Sequence, residues 1–170
     1  MKISRTTIFV TRGALIASLY VAFTYIAAFL GLSSGIIQFR ISEALCVLPV
    51  FMPEAVPGLF IGCLLSNALT GCALWDIIFG SIATLLGCLG AILLRRLPSF
   101  LLWMTTVPTI IANSLIVPLV LIYAYGAEGG YWLLVTTVFI GEAVCAGIGG
   151  SILLYTLKRK NFKSYRKDEQ

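Results

Sequence analysis

Long apolar runs alternate with short polar segments along almost the whole chain. They cover roughly residues 13–32, 41–52, 55–72, 77–94, 99–125 and 131–157. A hydrocarbon core of about 30 Å requires about 20 helical residues, and five of the runs approach or exceed that length. The second run has only a dozen residues and contains Pro49, so length alone does not show whether it crosses the membrane.

The distribution of positive charge decides how the second run is interpreted. Of the 12 Lys and Arg residues, 11 lie in three clusters: within residues 2–12, at 95–96 and within 158–167. If all three clusters face the cytoplasm, as the positive-inside rule favours, an even number of spans separates each from the next. Three clear runs lie between the first two clusters, so the second run must also cross, and its helix is predicted to begin before Ile41.

The resulting prediction is an all-α integral membrane protein. Residues 1–170 are expected to form a single domain, a six-transmembrane-helix bundle with cytoplasmic N- and C-termini and a basic cytoplasmic tail from about residue 158 to 170. The composition agrees, because 59% of the residues are hydrophobic and 11% are charged, whereas soluble domains are about 25% charged. The lipid bilayer is therefore the expected surrounding.

Several classes of function are excluded by composition. The net charge of +5 follows from membrane topology, because the basic residues lie at the chain ends and in one short loop, so nucleic acid is not an expected partner. The five cysteines form no CxxC and the chain has no histidine, so we expect free, packed thiols, no metal site and no cofactor.

The sequence contains no complete motif of a known enzyme class. The segment "GLSSG" at residues 31–35 matches the G-x-S-x-G of serine hydrolases, but no histidine is present to act as the base. The phosphate-binding motif of ATPases is also missing. We therefore predict that the chain is not an enzyme, and that any uphill transport takes its energy from an ion gradient or from other subunits.

Polar residues within apolar runs are the first candidates for a site, because charge at membrane depth is costly unless it is paired or hydrated. These candidates are Asn67, Asp76, Asn113 and Glu142. Glu142 has no basic residue at its expected depth, so it requires a ligand, a network of buried donors or a proton. Asp76 would also suit a helix N-terminus, and the two asparagines would also suit hydrogen bonding between helices.

The segment "IIQFRISEAL" at residues 36–45 places Arg40 and Glu43 between two apolar stretches. They could face a ligand or form an i,i+3 ion pair. Phe39 and Trp75 adjoin charged positions and are the preferred candidates for stacking on a planar ligand. The other aromatic residues near the outer face fit an interfacial belt. They are Tyr123, Tyr125, Tyr131 and Trp132.

Acidic residues outnumber Arg40, the one basic residue expected on the outer side, which favours a cationic ligand or one rich in N–H groups. A guanine-like edge fits, because one carboxylate can accept two parallel N–H bonds. Separately, small residues recur every four positions in the first and last runs, and such stripes allow close helix approach. One stripe could serve internal packing and the other an external partner. The stripes are Ala14, Ser18 and Ala22; Ala143 and Gly147; and Ala146 and Gly150.

Two segments, "IIQFRISEALCVLP" (36–49) and "DIIFGSIATLLG" (76–87), resemble the QueT family. Its members are the membrane substrate-binding (S) components of energy-coupling-factor (ECF) transporters for queuosine precursors. The resemblance implies a bacterial plasma-membrane protein that captures a 7-deazaguanine-type compound (preQ1, queuine or queuosine) from outside. It also implies docking on a transmembrane coupling subunit and two ATPase subunits, which power uptake.

The resemblance also suggests roles for individual residues. Gln38, Phe39, Arg40 and Glu43 match the motif expected at the substrate site. The stripe on the first helix, Ala14, Ser18 and Ala22, matches the docking surface of S components. Two alternatives remain open, namely an S component for another vitamin and a stand-alone proton-coupled carrier acting through Glu142. The full set of predicted substrate-binding residues is Gln38, Phe39, Arg40, Glu43, Asn67, Trp75, Asp76, Asn113 and Glu142.

Overall fold

The computed structural model describes residues 4–33 and 37–159, and within them every regular element is a helix. Most of the predicted basic tail and Ile36 of the first motif lie outside these residues. The elements are α1 (Arg5–Phe29), a 3₁₀ helix (Ile41–Val50), α2 (Ala55–Leu69), α3 (Leu74–Leu94), a 3₁₀ turn (Leu102–Thr106) that continues into α4 (Val107–Tyr125), α5 (Tyr131–Glu142), a π-helical segment (Ala143–Gly149) and α6 (Gly150–Arg159).

Four helical segments in the described part of the chain are long and apolar enough to cross a membrane. They are Arg5–Phe29, Leu74–Leu94, Leu102–Tyr125 and Tyr131–Arg159, the last combining α5, the π-helical segment and α6. The 3₁₀ helix and α2 are shorter, with 10 and 15 residues. The prediction of an all-helical, multi-pass membrane protein is thereby confirmed.

The prediction that the second helix begins before Ile41 was wrong. Residues 37–40 are not helical, and the first turn begins with the Glu43 N–H donating to the Arg40 carbonyl at 2.9 Å. The Phe39 N–H instead donates to the Leu32 carbonyl at 2.9 Å, which ties this segment across the end of α1. A 3₁₀ helix rises about 2.0 Å per residue, so ten residues extend about 20 Å, where an α-helix would reach about 15 Å.

The 3₁₀ helix lies in the interior of the bundle. Its apolar residues Leu45, Cys46, Val47 and Leu48 are all buried, and it contacts α1, α2, α3, α6 and the π-helical segment. A helix that is buried on all sides is apolar on all sides, which explains why this run shows no polar face. Glu43, at its first turn, is therefore carried into the centre of the fold.

Glycines bring neighbouring helices into close contact. A Cβ placed on Gly58 would lie 2.6 Å from the Gly13 carbonyl oxygen, and one on Gly62 would lie 2.8 Å from the Tyr20 Cβ. Similarly, a Cβ on Gly87 would lie 2.7 Å from the Thr109 Cα. These contacts set the α1–α2 and α3–α4 pairings, because only a residue without a side chain permits that approach.

The α1–α2 pairing gives α1 two different faces. Gly13, Ala17 and Tyr20 are buried against α2, whereas the stripe Ala14, Ser18 and Ala22 is exposed. In the last segment, by contrast, Ala146 and Gly150 are buried, and a Cβ on Gly150 would lie 3.0 Å from Val47 Cγ1. Ala146 and Gly150 therefore serve internal packing, as the sequence allowed for one of the stripes, and in the described part of the chain the α1 stripe stays exposed.

The two ends of the bundle differ in charge. One end collects the start of α1, the turns at 51–54 and 95–101 and the end of α6, where Arg12 pairs with Glu54 at 3.1 Å and Lys158 donates to Ser99. The opposite end contains the C-terminal ends of α1, α2 and α4 and the start of α3. Arg40 is located at this second end, which also contains a cavity lined by polar side chains.

Candidate functional site

A cavity of about 420 Å³ lies between the ends of α1, α2 and α4, the start of α3 and the segment leading to the 3₁₀ helix. This volume falls within the range of about 300–1,000 Å³ typical of small-molecule sites. Many of the lining side chains are polar. The polar lining residues are Tyr20, Thr24, Ser33, Gln38, Arg40, Ser42, Asn67, Thr70, Asp76 and Tyr125.

Asp76 is the carboxylate that lines this cavity. The Arg40 Nη2 donates to Asp76 Oδ1 at 3.3 Å, and the Tyr125 hydroxyl donates to Asp76 Oδ2 at 3.1 Å. Asp76 also lies in the first turn of α3, where the helix dipole favours negative charge. A carboxylate has about four acceptor positions, so Asp76 retains the capacity to accept further N–H bonds from a ligand.

Gly80 leaves the space in which these polar groups converge. A Cβ at Gly80 would lie 3.1 Å from both Asn67 Nδ2 and Asp76 Oδ1, and 3.6 Å from Arg40 Nη1. The Asn67 Nδ2 donates to the Asp76 backbone carbonyl at 3.3 Å, which links α2 to α3. The Asn67 amide, the Asp76 carboxylate and the Arg40 guanidinium therefore converge on the turn of α3 where Gly80 carries no side chain.

A second set of polar groups lies deeper in the bundle, around Glu43. Its Oε1 accepts from the Tyr20 hydroxyl and from Thr84 Oγ1 at 3.1 Å, and its Oε2 accepts from Cys46 Sγ at 3.1 Å and from Asn113 Nδ2 at 3.3 Å. We call these five residues the Glu43 cluster. Glu43 is completely buried, and four donors compensate the cost of burying its charge.

The possible ion pair between Arg40 and Glu43 is not formed. Arg40 pairs with Asp76, on α3, and Glu43 is surrounded by neutral donors from α1, α3, α4 and its own helix. The non-helical backbone at Arg40 accounts for the difference, because i,i+3 pairing requires both residues to lie on the same helix.

The nine predicted site residues divide into three groups. Gln38, Phe39, Arg40, Asn67 and Asp76 line the cavity. Glu43 and Asn113 belong to the Glu43 cluster, and Glu142, at the end of α5, is buried close to Asn113 and Glu43 without lining the cavity. Trp75 lies outside the cavity, 58% exposed and stacked on Phe79 with a ring-centroid distance of 5.7 Å.

Sequence reasoning missed Tyr20, Thr84 and Tyr125. Tyr125 was assigned to the interfacial belt, but it lines the cavity and donates to Asp76. Tyr20 is almost fully buried in α1, lines the cavity and donates to Glu43. A buried tyrosine hydroxyl requires a partner, so Tyr20 in an otherwise apolar run was the available signal.

The family model described as QueT transporter matches residues 10–159 of the chain. The chain belongs to the QueT transporter family. It is 37% identical over 105 residues to the queuosine precursor transporter QueT of Lactococcus lactis subsp. cremoris (strain MG1363), an alignment covering 61% of this chain and 60% of that protein. No solved structure matches the chain. The prediction from sequence that the chain resembles the QueT family is confirmed. The matched range includes every residue that lines the cavity and the Glu43 cluster.

Proposed function

We propose that the chain is the substrate-binding subunit, or S component, of an ECF transporter, and that it captures a queuosine precursor in the cavity. Family membership supports transport of such a compound. The observation that carries the ligand assignment is the adjacent acceptor and donor pair, Asp76 and Arg40, in a cavity of suitable size. The subunit binds and releases its ligand without catalysing a reaction.

The polar edge of a 7-deazaguanine matches this pair. Its ring N–H and exocyclic amino group are neighbouring donors, and its carbonyl oxygen is the adjacent acceptor. Asp76 accepts the two N–H bonds, while Arg40 or Asn67 donates to the carbonyl. Phe39 and Tyr125, both lining the cavity, flank the ring. Glu43 is less suitable for this role, because each of its oxygens already accepts from two protein donors.

Six membrane crossings with both termini cytoplasmic complete the proposed topology. The long 3₁₀ helix supports a crossing by the second segment, because its extended rise covers about 20 Å of the membrane. The basic end of the bundle then faces the cytoplasm, and the cavity opens to the outside of a bacterial plasma membrane. Capture from outside follows from this orientation.

The α1 stripe is the proposed docking surface for the ECF coupling subunit, which works with two ATPase subunits. Ala14, Ser18 and Ala22 are exposed on a helix whose opposite face packs on α2. Small residues permit a second helix to approach closely. The chain supplies substrate specificity, and the partner subunits supply the energy.

Direct binding tests the ligand assignment. Isothermal titration calorimetry on the purified full chain should detect preQ1 or queuine, with competition by other deazaguanines and none by riboflavin, thiamine or biotin. Binding of one of these vitamins in place of every deazaguanine would identify an S component of different specificity and refute the assignment.

A second candidate function is a stand-alone proton-coupled carrier, which is favoured by one observation. Glu142 is buried, and in the described part of the chain it forms no ion pair with any Lys or Arg. Liposome reconstitution distinguishes the two functions. Uptake that requires the coupling and ATPase subunits together with ATP supports the S component, whereas uptake by the chain alone under a pH gradient supports the carrier.

A further inference from the structure

The side chain of Asn113 lies beside two carboxyl groups in the bundle interior. Its Nδ2 donates to Glu43 Oε2 at 3.3 Å, and Glu142 is the other acidic side chain that interacts with it. Asn113 is fully buried and Glu142 is 3% exposed. Among residues 4–33 and 37–159, no donor is hydrogen-bonded to either of two buried acceptor atoms, Asn113 Oδ1 and Glu142 Oε2.

Two ionised carboxylates beside Asn113 would leave its amide oxygen without a hydrogen-bond donor. An amide has one donor end and one acceptor end, so between two ionised carboxylates its acceptor end would face an oxygen that carries no proton. Exchanging the nitrogen and oxygen of Asn113, which are hard to distinguish by position alone, only transfers the conflict from Glu142 to Glu43. A single proton on one of the two carboxyl groups removes the conflict.

The partners of each carboxyl group show which one holds that proton. Glu43 accepts from Tyr20, Thr84 and Cys46 in addition to Asn113, and donors of this kind stabilise an ionised carboxylate. In the described part of the chain, Glu142 has no comparable set of donors. The cation that acts on it is Arg40, which is already paired with Asp76 at 3.3 Å.

The other groups near Glu142 also oppose a second negative charge. From the elements packed against it, the titratable and charged groups that act on it are Glu43 of the 3₁₀ helix and Arg40 just before that helix, and Cys145 lies in the π-helical segment that follows it. An anion at Glu142 would be buried beside the anion at Glu43, which is costly at membrane depth. A π-helical segment begins directly after Glu142, a feature that frequently marks functional positions.

We propose that Glu142 holds a resident proton, which it donates to Asn113 Oδ1, so that Glu43, Asn113 and Glu142 together carry one negative charge. These three residues form a proton-binding site that adjoins the cavity. Tyr20 connects the two, because it lines the cavity and donates to Glu43. The site exists whether or not a ligand is bound and does not depend on the ligand's identity.

Infrared spectroscopy of the full chain in lipid nanodiscs, without ligand and near neutral pH, tests the proposal. Wild type should show the carbonyl band of a protonated carboxylic acid, and Glu142→Gln, an isostere whose amide N–H can still donate to Asn113, should lose it. Asp76→Asn and Glu128→Gln should both retain the band. The chain has only seven acidic residues, so assignment by single variants is practical. Absence of the band in wild type, or its persistence in Glu142→Gln, would overturn the proposal.

A second variant keeps the test decisive if Glu142→Gln does not fold. Asn113→Leu removes the acceptor of the proposed hydrogen bond, so the carbonyl band should persist and move to higher frequency. Asn67→Leu is the matched control, because Asn67 bonds to the Asp76 backbone and not to the Glu43 cluster. Equal band positions in wild type and Asn113→Leu would show that the proton is located elsewhere.

Discussion

Asp76→Asn is the most direct test of how the cavity reads its ligand. Asparagine has the same shape as aspartate but presents an NH₂ group at one of the two oxygen positions. In the proposed complex both oxygens accept N–H groups of a guanine-like edge, so the variant loses one hydrogen bond and places two donors face to face. It also removes the charge that pairs with Arg40 at 3.3 Å.

The size of the effect follows from the number of bonds affected. A hydrogen bond to a charged group contributes about 1.5–3 kcal/mol, so two affected bonds correspond to about 3–6 kcal/mol. At about 1.4 kcal/mol per tenfold change in affinity, Kd should rise about 100-fold to 20,000-fold. Stability should fall as well, because the Arg40 and Asp76 side chains are only 16% and 6% exposed, so the variant leaves a mostly buried guanidinium without its ionic partner. Tyr125 can still donate to the remaining oxygen.

Calorimetric titration of preQ1 or queuine into purified wild type and variant measures this difference, and thermal unfolding checks that the variant is folded. Glu128→Gln is the matched control, because it removes the same charge from an exposed residue that does not line the cavity. If Asp76→Asn binds as tightly as wild type, the carboxylate does not contact the ligand and the proposed recognition is wrong.

Three further substitutions probe the Glu43 cluster, the close contacts around Gly80 and the proposed docking surface. Glu43→Gln replaces an oxygen that accepts from two buried donors, and each donor left unsatisfied costs about 1–3 kcal/mol of stability. Thermal unfolding should therefore occur at a clearly lower temperature. An unchanged midpoint would contradict the structural role of the Glu43 cluster. Gly80→Ala places a Cβ 3.1 Å from Asn67 and Asp76. Overpacking of about 1–3 kcal/mol should weaken ligand binding, measured by calorimetry, roughly 5-fold to 150-fold. The control Gly130→Ala has open space around the new Cβ and should bind like wild type. Ser18→Leu should abolish ATP-dependent uptake in liposomes containing the coupling and ATPase subunits while leaving calorimetric binding to the isolated chain intact; normal uptake would exclude the α1 stripe as the docking surface.

The helical, membrane-spanning character of the chain could be read from the sequence because it depends on local composition. Twenty or so apolar residues with few charges have almost no stable alternative to a helix in lipid. The bounds of the second helix could not be read in this way. Its 3₁₀ geometry and its start at Ile41 depend on long-range contacts, such as the Phe39 N–H bonding to the Leu32 carbonyl.

Much of the candidate site was predictable for a related reason. Polar groups are so costly in an apolar bundle that Arg40, Glu43, Asn67, Asp76 and Asn113 were conspicuous in the sequence. Their pairing was not predictable, because it depends on which helices face each other. Arg40 pairs with a residue 36 positions away, and Glu43 with Asn113, 70 positions away.

The sequence by itself determined that this is a helical membrane protein of the QueT family with a small set of buried polar residues, because membrane solvation acts on each segment separately. Only the tertiary structure decided what those residues do. It assigned Asp76 and Arg40 to a cavity, Glu43 to a buried set of donors, and Glu142 to a place beside Asn113. Hydrogen bonds and charges act over a few ångströms, so their partners are defined only once the helices have packed.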